Sequence, residues 1–321
     1  MIITTAPQYV NWNYTYTCNF NCDHCYSRAS SYPNELSTNE YESIVDQLIA
    51  AQVFQVALGG GEVLMRQDCL KIISKMSIAG IHTMLTTNGW FVDNRMAQML
   101  ADTGLRELYV SLDSRHADKH DNFRRRPGSY ERVMRALKAA VSAGLTVNLS
   151  TVLTSTNIGE LASFVEFAER ERLSGINFKR FRPAGNGLLS KERYQLQDKQ
   201  GQQIENEIAR LQQQSTINIS LNYGPEVNDV DSGCSCGIRS LAFRPNGDVS
   251  LCAYTEAVIG NLMRTSLSDL WINSPELKAK RAQGGCTALI DQPIPSNPYI
   301  QVETLAGRHK LSKRTSYITG A

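Results

Sequence analysis

The sequence predicts an α/β chain, a partial (β/α)6 barrel followed by a small β-hairpin and helix unit. Three observations lead there. From Tyr9 to about Arg180 six short β-rich runs alternate, through turns, with amphipathic helical patterns. Gly80, Gly104 and Gly144 each follow a helical pattern, where a left-handed residue ends a helix. Near the end, Pro245-Asn246-Gly247-Asp248 is a turn signal between two β-rich runs.

The expected strands are Tyr9–Thr15, Val53–Leu58, His82–Thr86, Glu107–Leu112, Thr146–Val152 and Gly175–Arg180. Helical patterns lie near Ser37–Ala51, Gln67–Ala79, Asp93–Thr103, Ser129–Ala143 and Ile158–Glu171, the first opened by a capping box, Ser37-Thr38-Asn39-Glu40. Short connections between such units imply a parallel sheet with right-handed crossovers. Six units are too few to close an eight-stranded barrel, so the sheet stays open. Lys191 to Gln214 is a polar helical pattern, expected to pack across the barrel and lead to the second unit. The expected division is a core over residues 1–215, a hairpin and helix domain over 216–290, and a tail over 291–321. The tail holds Pro293, Pro295 and Pro298, then Arg308, Lys310, Lys313 and Arg314 against Glu303. It reads as a solvated terminus, or as a segment that folds over the barrel mouth or docks a partner.

The chain has 321 residues, 42% of them hydrophobic, enough for one large domain plus a small one. It has no run of 18 apolar residues, and Met1 to Pro7 lacks a signal-peptide pattern, so a cytoplasmic protein without a membrane span is expected. Thirty-three basic against 31 acidic residues leave a net charge of +2, which is no nucleic-acid footprint. Eight cysteines in such a chain suit metal ligation better than disulfides. Seven form two groups, and Cys69, alone in a helical pattern, reads as a small buried hydrophobe.

The first group is Cys18, Cys22 and Cys25, spaced Cys-x3-Cys-x2-Cys just after the first strand. Three thiolates on one short loop can converge on an iron–sulfur cluster and leave one iron of a cubane open. A closed zinc site needs a fourth ligand, and the neighbouring candidate, His24, would have to fold back on its own loop. Working loops of parallel sheets lie beyond the carboxyl ends of the strands, and the polar motifs fall there. Gly59-Gly60-Gly61-Glu62 follows the second strand, Thr86-Thr87-Asn88-Gly89 the third, Ser111-Leu112-Asp113-Ser114 the fourth and Phe181-Arg182-Pro183-Ala184-Gly185 the sixth. Glycine lets the backbone approach a ligand, and Glu62 stands where it can accept from an ammonium group.

Cys18, Cys22 and Cys25 resemble the signature of the radical S-adenosylmethionine (SAM) superfamily, with His24 at its usually aromatic position. The resemblance covers roughly residues 10 to 290. It implies a [4Fe–4S] cluster whose open iron chelates SAM and whose electron, drawn from an external donor, cleaves it to a 5′-deoxyadenosyl radical that abstracts a substrate hydrogen. It further implies that Gly60, Gly61 and Glu62 grip the SAM amino group, that Asn88 and Ser111 contact the cofactor, and that an arginine of the His120–Gly128 loop meets its carboxylate. Arg124 is the candidate beside Arg125 and Arg126, since arginine pairs with carboxylates in bidentate fashion.

The second group is Cys234, Cys236, Cys252 and Cys286, arranged around the expected hairpin and a helical stretch from about Ser268 to Ala282. Four thiolates there suit a second cluster or a zinc ion. With Ile259-Gly260-Asn261-Leu262 and Gly284-Gly285-Cys286, the spacing resembles the SPASM/twitch extension of radical SAM enzymes, in a truncated form that implies one auxiliary [4Fe–4S] cluster closed by all four cysteines.

The combined motifs look most like peptide maturases, which implies a ribosomally made precursor peptide as substrate. No recognition domain precedes the first strand, so a separate peptide-recognition protein is expected. The alternatives are a radical SAM dehydrogenase of a small molecule such as an amino sugar alcohol, and a non-catalytic iron–sulfur scaffold. Cross-linking, epimerisation, excision and oxidation all begin with the same radical, so the residues do not separate them.

Overall fold

The computed structural model describes residues 4–27, 34–222, 235–255 and 257–283. In chain order the elements are β1 (Tyr9–Thr15), α1 (Thr38–Ala50), β2 (Gln55–Gly60), α2 (Cys69–Ile78), β3 (His82–Thr87), α3 (Asn94–Asp102) and β4 (Glu107–Ser111). Then come α4 (Ala117–Arg124), α5 (Ser129–Ser142), β5 (Val147–Leu153), α6 (Leu161–Arg170) and β6 (Gly175–Arg180). Two short turns of helix, α7 (Asn186–Leu189) and α8 (Lys191–Tyr194), precede α9 (Asp198–Gln214) and β7 (Asn218–Asn222). The last part holds β8 (Ser240–Phe243), β9 (Asp248–Ser250), β10 (Val258–Asn261), α10 (Leu267–Asn273) and α11 (Pro275–Gln283).

Among the described residues ten strands form one sheet in the order β10-β9-β8-β1-β2-β3-β4-β5-β6-β7. β1 to β7 are parallel and stand in sequence order. Right-handed crossovers that always step the same way put every connecting helix on one face of the sheet. The residues agree. Leu108, Val110, Leu149, Ile176 and Phe178 enter the apolar core under the helices, which turns Tyr109, Ser111, Asn148, Asn177 and Lys179 to the opposite face. That second face is polar, as befits a partial barrel with an open interior.

Local signals formed the elements as expected. Ser37 caps α1, its hydroxyl accepting from the Glu40 amide while Glu40 reaches back to the Ser37 amide. Gly80, Gly104 and Gly144 adopt φ of 83°, 77° and 77° behind their helices. Trp12 of β1 is sealed between α1 and β8, its ring edge-on to Tyr41 at 5.2 Å and to Phe243 at 6.1 Å. Trimming a buried tryptophan to alanine typically costs about 3–5 kcal/mol. Cys69 is buried among core residues. No described helix is long and apolar enough to cross a membrane.

The structure differs from the expectations in several places. The parallel sheet has a seventh strand, β7, paired with β6 from Gly175↔Asn218 to Lys179↔Asn222, so the core sheet runs past residue 215. Its inward and outward residues alternate, but only Ile219 and Leu221 are apolar, and the signal is faint. The 191–214 stretch is not a bridge to a second unit. Its helix α9 is the crossover between β6 and β7 and buries Ile204, Ile208 and Leu211 in the main core. The segment read as a loop from His120 begins inside α4, whose buried side chains are His120, Phe123 and Arg124. The hairpin β8–β9 forms, with Gly247 at φ 83° in its turn, yet β8 also pairs in parallel with β1 from Tyr9↔Ser240 to Trp12↔Phe243. It thereby extends the barrel sheet. The helical stretch after it is two helices, because Pro275 disfavours helical backbone at Ser274. The expected tail lies outside the described residues.

Candidate active site

The cysteine loop leaves the carboxyl end of β1 and is fixed first by backbone. The Gly61 amide donates to Thr15 O at 2.6 Å and the Glu62 amide to Thr17 O at 2.9 Å. A Cβ on Gly61 would stand 2.2 Å from Thr17 O, and one on Gly60, whose φ is 109°, 2.4 Å from Thr15 O. These glycines are therefore needed for close approach to the chain's own cysteine loop, and Gly59 alone of the three faces open space, with nothing within 4 Å of its Cβ position.

Glu62, expected to face an ammonium group, has a fully buried side chain whose two oxygens both accept hydrogen bonds within the fold. Oε1 accepts from Thr87 Oγ1 at 2.8 Å and from the Leu64 amide at 3.2 Å, and Oε2 from the Asn88 amide at 2.7 Å. Burial raises its pKa, and those donors oppose the rise. Glu62 staples the end of β2 to the end of β3. Asn88 carries that link onward, its Nδ2 donating to Asn19 Oδ1 at 2.8 Å and lying 4.0 Å from Cys18 Sγ.

The sulfurs sit among N–H donors. Cys18 Sγ accepts from the Phe20 amide at 3.4 Å, and Arg124 Nη1 is 3.9 Å from Cys22 Sγ. Burial pushes the free Cys18 thiol up to about 11 and Cys22 up to about 12, so thiolates form here by giving their protons up to a bound metal. Among the described residues no three His, Cys, Asp or Glu side chains gather closely enough to hold a single metal ion. A cluster does not require that, because its thiolates bind separate irons. Three thiols on one loop, with donors aimed at two sulfurs, fit such a group.

The three arginines divide clearly. Arg124 is buried, with Nε 2.6 Å from Asp113 Oδ2. Arg125, at φ 50°, pairs with Asp23 of the cysteine loop. Arg126 lies over the Trp90 ring at 4.3 Å. Only Arg124 reaches both the loop sulfur and the carboxyl end of β4. Burial, the largest single influence, would raise Asp113, and the Arg124 guanidinium, His24, His120 and the Val152 amide together outweigh it and hold the carboxyl below its ordinary range. Asp113 Oδ1 also accepts the Val152 amide at 2.8 Å. Ser111, at the last position of β4, is buried on the inner face, and its hydroxyl makes no hydrogen bond to a described residue. His24 stacks on Phe123 at 4.4 Å, and burial drops it to about 3, so it is neutral.

A second clamp comes from beyond β6. The Asn186 amide donates to Cys25 O at 2.9 Å, Ser190 Oγ to Asp23 O at 2.8 Å and Tyr194 OH to Asp23 Oδ2 at 2.9 Å. A Cβ on Gly185, φ 55°, would strike Cys25 O at 2.5 Å. The Phe181–Gly185 stretch thus braces the cysteine loop.

Of the second cysteine group, Cys236 and Cys252 are described, and Cys234 and Cys286 lie outside the described residues. Gly237, φ 75°, turns the chain after Cys236. Cys252 Sγ accepts the Tyr254 amide at 3.5 Å, and Tyr254 feels both Cys252 and Cys236. Tyr254 in turn meets Tyr26, the residue after Cys25. Sequence reasoning did not single out Asp113, Asp23, Tyr254 or Lys179 as site residues. Asp113 carried a signal, its place at a strand end beside Ser111; the others are defined by tertiary contact.

The radical SAM superfamily model matches residues 12–168, and an iron–sulfur cluster-binding domain model matches residues 234–292. The AdoMet-dependent heme synthase of Methanosarcina barkeri is 28% identical over 302 residues, covering 87% of this chain and 86% of the relative. The mycofactocin maturase MftC of Mycobacterium tuberculosis is 29% identical over 295 residues, covering 88% of this chain and 75% of the relative. Among solved structures, Streptococcus suis SuiB bound to precursor peptide SuiA superposes with a TM-score of 0.75 at 16% identity, over 87% of this chain and 68% of that one. Native anSMEcpe with bound AdoMet gives 0.66 at 15% identity, over 97% and 96%. These structural likenesses speak to the fold, and the models match the stretches that hold the two cysteine groups. Residues 12–168 thus carry a radical SAM domain and residues 234–292 an iron–sulfur cluster-binding domain, and these two domains identify the chain as a radical SAM enzyme with S-adenosylmethionine and [4Fe–4S] clusters as its implied cofactors.

Proposed function

We propose that this enzyme modifies a ribosomally made precursor peptide. In this reading Cys18, Cys22 and Cys25 hold the SAM-binding cluster. Cys236 and Cys252, with Cys234 and Cys286, hold one auxiliary cluster. When bound, the first cluster and SAM together supply a radical able to abstract a hydrogen atom. The chain's own residues prepare the place for it. Arg124, neutralised in part by Asp113, offers its remaining guanidinium N–H groups beside Cys22, and Ser111 offers a free hydroxyl on the inner face. Glu62 and Asn88 keep the loop ends in register.

The observation that carries the peptide reading is the open, polar inner face of the sheet between its edges β7 and β10. An extended chain segment can enter an open edge, which a closed barrel does not allow. Similarity to MftC and the fold shared with peptide-bound SuiB support it. A second reading, a small molecule, is favoured by similarity to the heme synthase over 86% of that relative's length.

The test is anaerobic turnover of the reconstituted enzyme with SAM and reductant, offered in turn a peptide encoded beside its gene and an iron porphyrin. Peptide-dependent 5′-deoxyadenosine, matched by a mass change in the peptide, is expected. Turnover that responds to the porphyrin and not to the peptide contradicts the reading.

A further inference from the structure

β6 turns two unsatisfied polar groups toward the interior of the barrel. Phe178 enters the core and packs on Phe164 of α6, ring centroids 6.1 Å apart, so Asn177 and Lys179 face the other way. Asn177 Oδ1 is buried with no hydrogen-bond partner. Lys179 is half-buried and, among the described residues, makes neither a hydrogen bond nor an ion pair. Its neighbours account for that. Asp113, the acid it feels, is already engaged by Arg124 Nε at 2.6 Å and by the Val152 amide at 2.8 Å. Register sets Lys179 between Val152 and Asn222, and its charge is felt at His24 of the cysteine loop.

A buried amide oxygen without a partner is costly and normally satisfied, and the half-buried Lys179 ammonium stands on the same face. On one strand face they stand about 7 Å apart, two residues along. That spacing suits an extended peptide, whose acidic group meets the ammonium while an N–H meets the amide oxygen.

We propose that Lys179 and Asn177 form a substrate subsite, Lys179 taking a carboxylate of the peptide and Asn177 Oδ1 accepting an N–H from it. The subsite rests on the peptide reading and deepens it: the modified segment carries an acidic side chain or a free C-terminus close to the reacting position. Arg124 is the weaker candidate for that carboxylate, because Asp113 already neutralises part of its charge and its Nη1 lies beside Cys22. The depression of Lys179 to about 8, caused by burial and then by Arg124, agrees with an ammonium waiting for an anion.

Reductive methylation of the holoenzyme, read at Lys179 by peptide mass mapping, tests this without turnover or precursor. The probes are SAM alone, then SAM with a short blocked peptide carrying one glutamate, or with its glutamine counterpart. A charge-assisted hydrogen bond corresponds to labelling about tenfold slower with the saturating glutamate peptide and unchanged with the glutamine one. Protection by SAM alone assigns the amine to the cofactor's carboxylate and overturns the proposal. So does equal protection by both peptides, protection by neither, or a Lys179 that is not labelled in the free holoenzyme. Because no turnover is measured, these outcomes are independent of whether the peptide reading passes its own test.

Discussion

Tyr26 and Tyr254 meet with ring centroids 4.9 Å apart and planes tilted by 52°, joining the loop of Cys25 to the loop of Cys252. Tyr26 OH donates to Asn13 Oδ1 at 2.8 Å, and Arg182 lies over the Tyr254 ring at 4.7 Å. The two cysteine groups, more than two hundred residues apart in sequence, therefore share one packed seam.

Aromatic pairs of this kind contribute about 0.5–1.5 kcal/mol beyond their buried area. A double-mutant cycle with Tyr26→Leu and Tyr254→Leu, read by denaturant unfolding of the reconstituted protein, should return a coupling of that size. Strict additivity would mean that the loops are held independently.

Asp113 and Arg124 form a buried pair, their side chains 1% and 9% exposed. Asp113→Asn strands a buried guanidinium, which typically costs about 3–5 kcal/mol. Adding Arg124→Met to that variant should restore part of the loss. Unfolding midpoints of the single and double variants measure this. A loss from Asp113→Asn below about 1 kcal/mol, the range of an exposed pair, would contradict the burial of the pair.

Lys179 should cost stability at neutral pH. Its folded-state value is depressed from 10.5 to about 8, so between those values the unfolded chain binds more protons. Stability then rises with pH across that window. Lys179→Met should melt higher than wild type at pH 7, and the difference should shrink as pH rises through 8 toward 10. Thermal midpoints across that range are the check, and a constant difference would show that the ammonium is freely solvated.

Gly59 and Gly61 should respond oppositely to alanine. Gly61→Ala forces a Cβ onto Thr17 O at 2.2 Å, whereas at Gly59 nothing lies within 4 Å. Gly61→Ala should lower both the unfolding midpoint and the iron retained after reconstitution. Gly59→Ala should leave both near wild type. Equal behaviour would dissolve the distinction between a loop anchor and an open position.

What the sequence carried was local. Strands β1 to β6, the Ser37 cap and the helix-ending glycines depend on neighbours within a few residues, and each formed where expected. β7 was missed because Asn218-Ile219-Ser220-Leu221-Asn222 becomes a strand by pairing with β6. α4 was missed because its eight residues are mostly polar and its burial comes from α5 and the cysteine loop. Spacing puts Glu62 at a strand end, but the donors it accepts from, Leu64, Thr87 and Asn88, appear only when β2 and β3 lie side by side. Lys179 carried no motif at all. Its interest lies in what surrounds it.

The central claim is that Cys18, Cys22 and Cys25 alone hold the cluster at which SAM is cleaved. The direct measurement is iron content and 5′-deoxyadenosine formation in the variant with all three replaced by alanine, reconstituted beside wild type. Three thiolates hold one four-iron cluster, so the variant should lose about four irons and all cleavage while the second cysteine group keeps its own. Unchanged iron, or cleavage that survives, would contradict it.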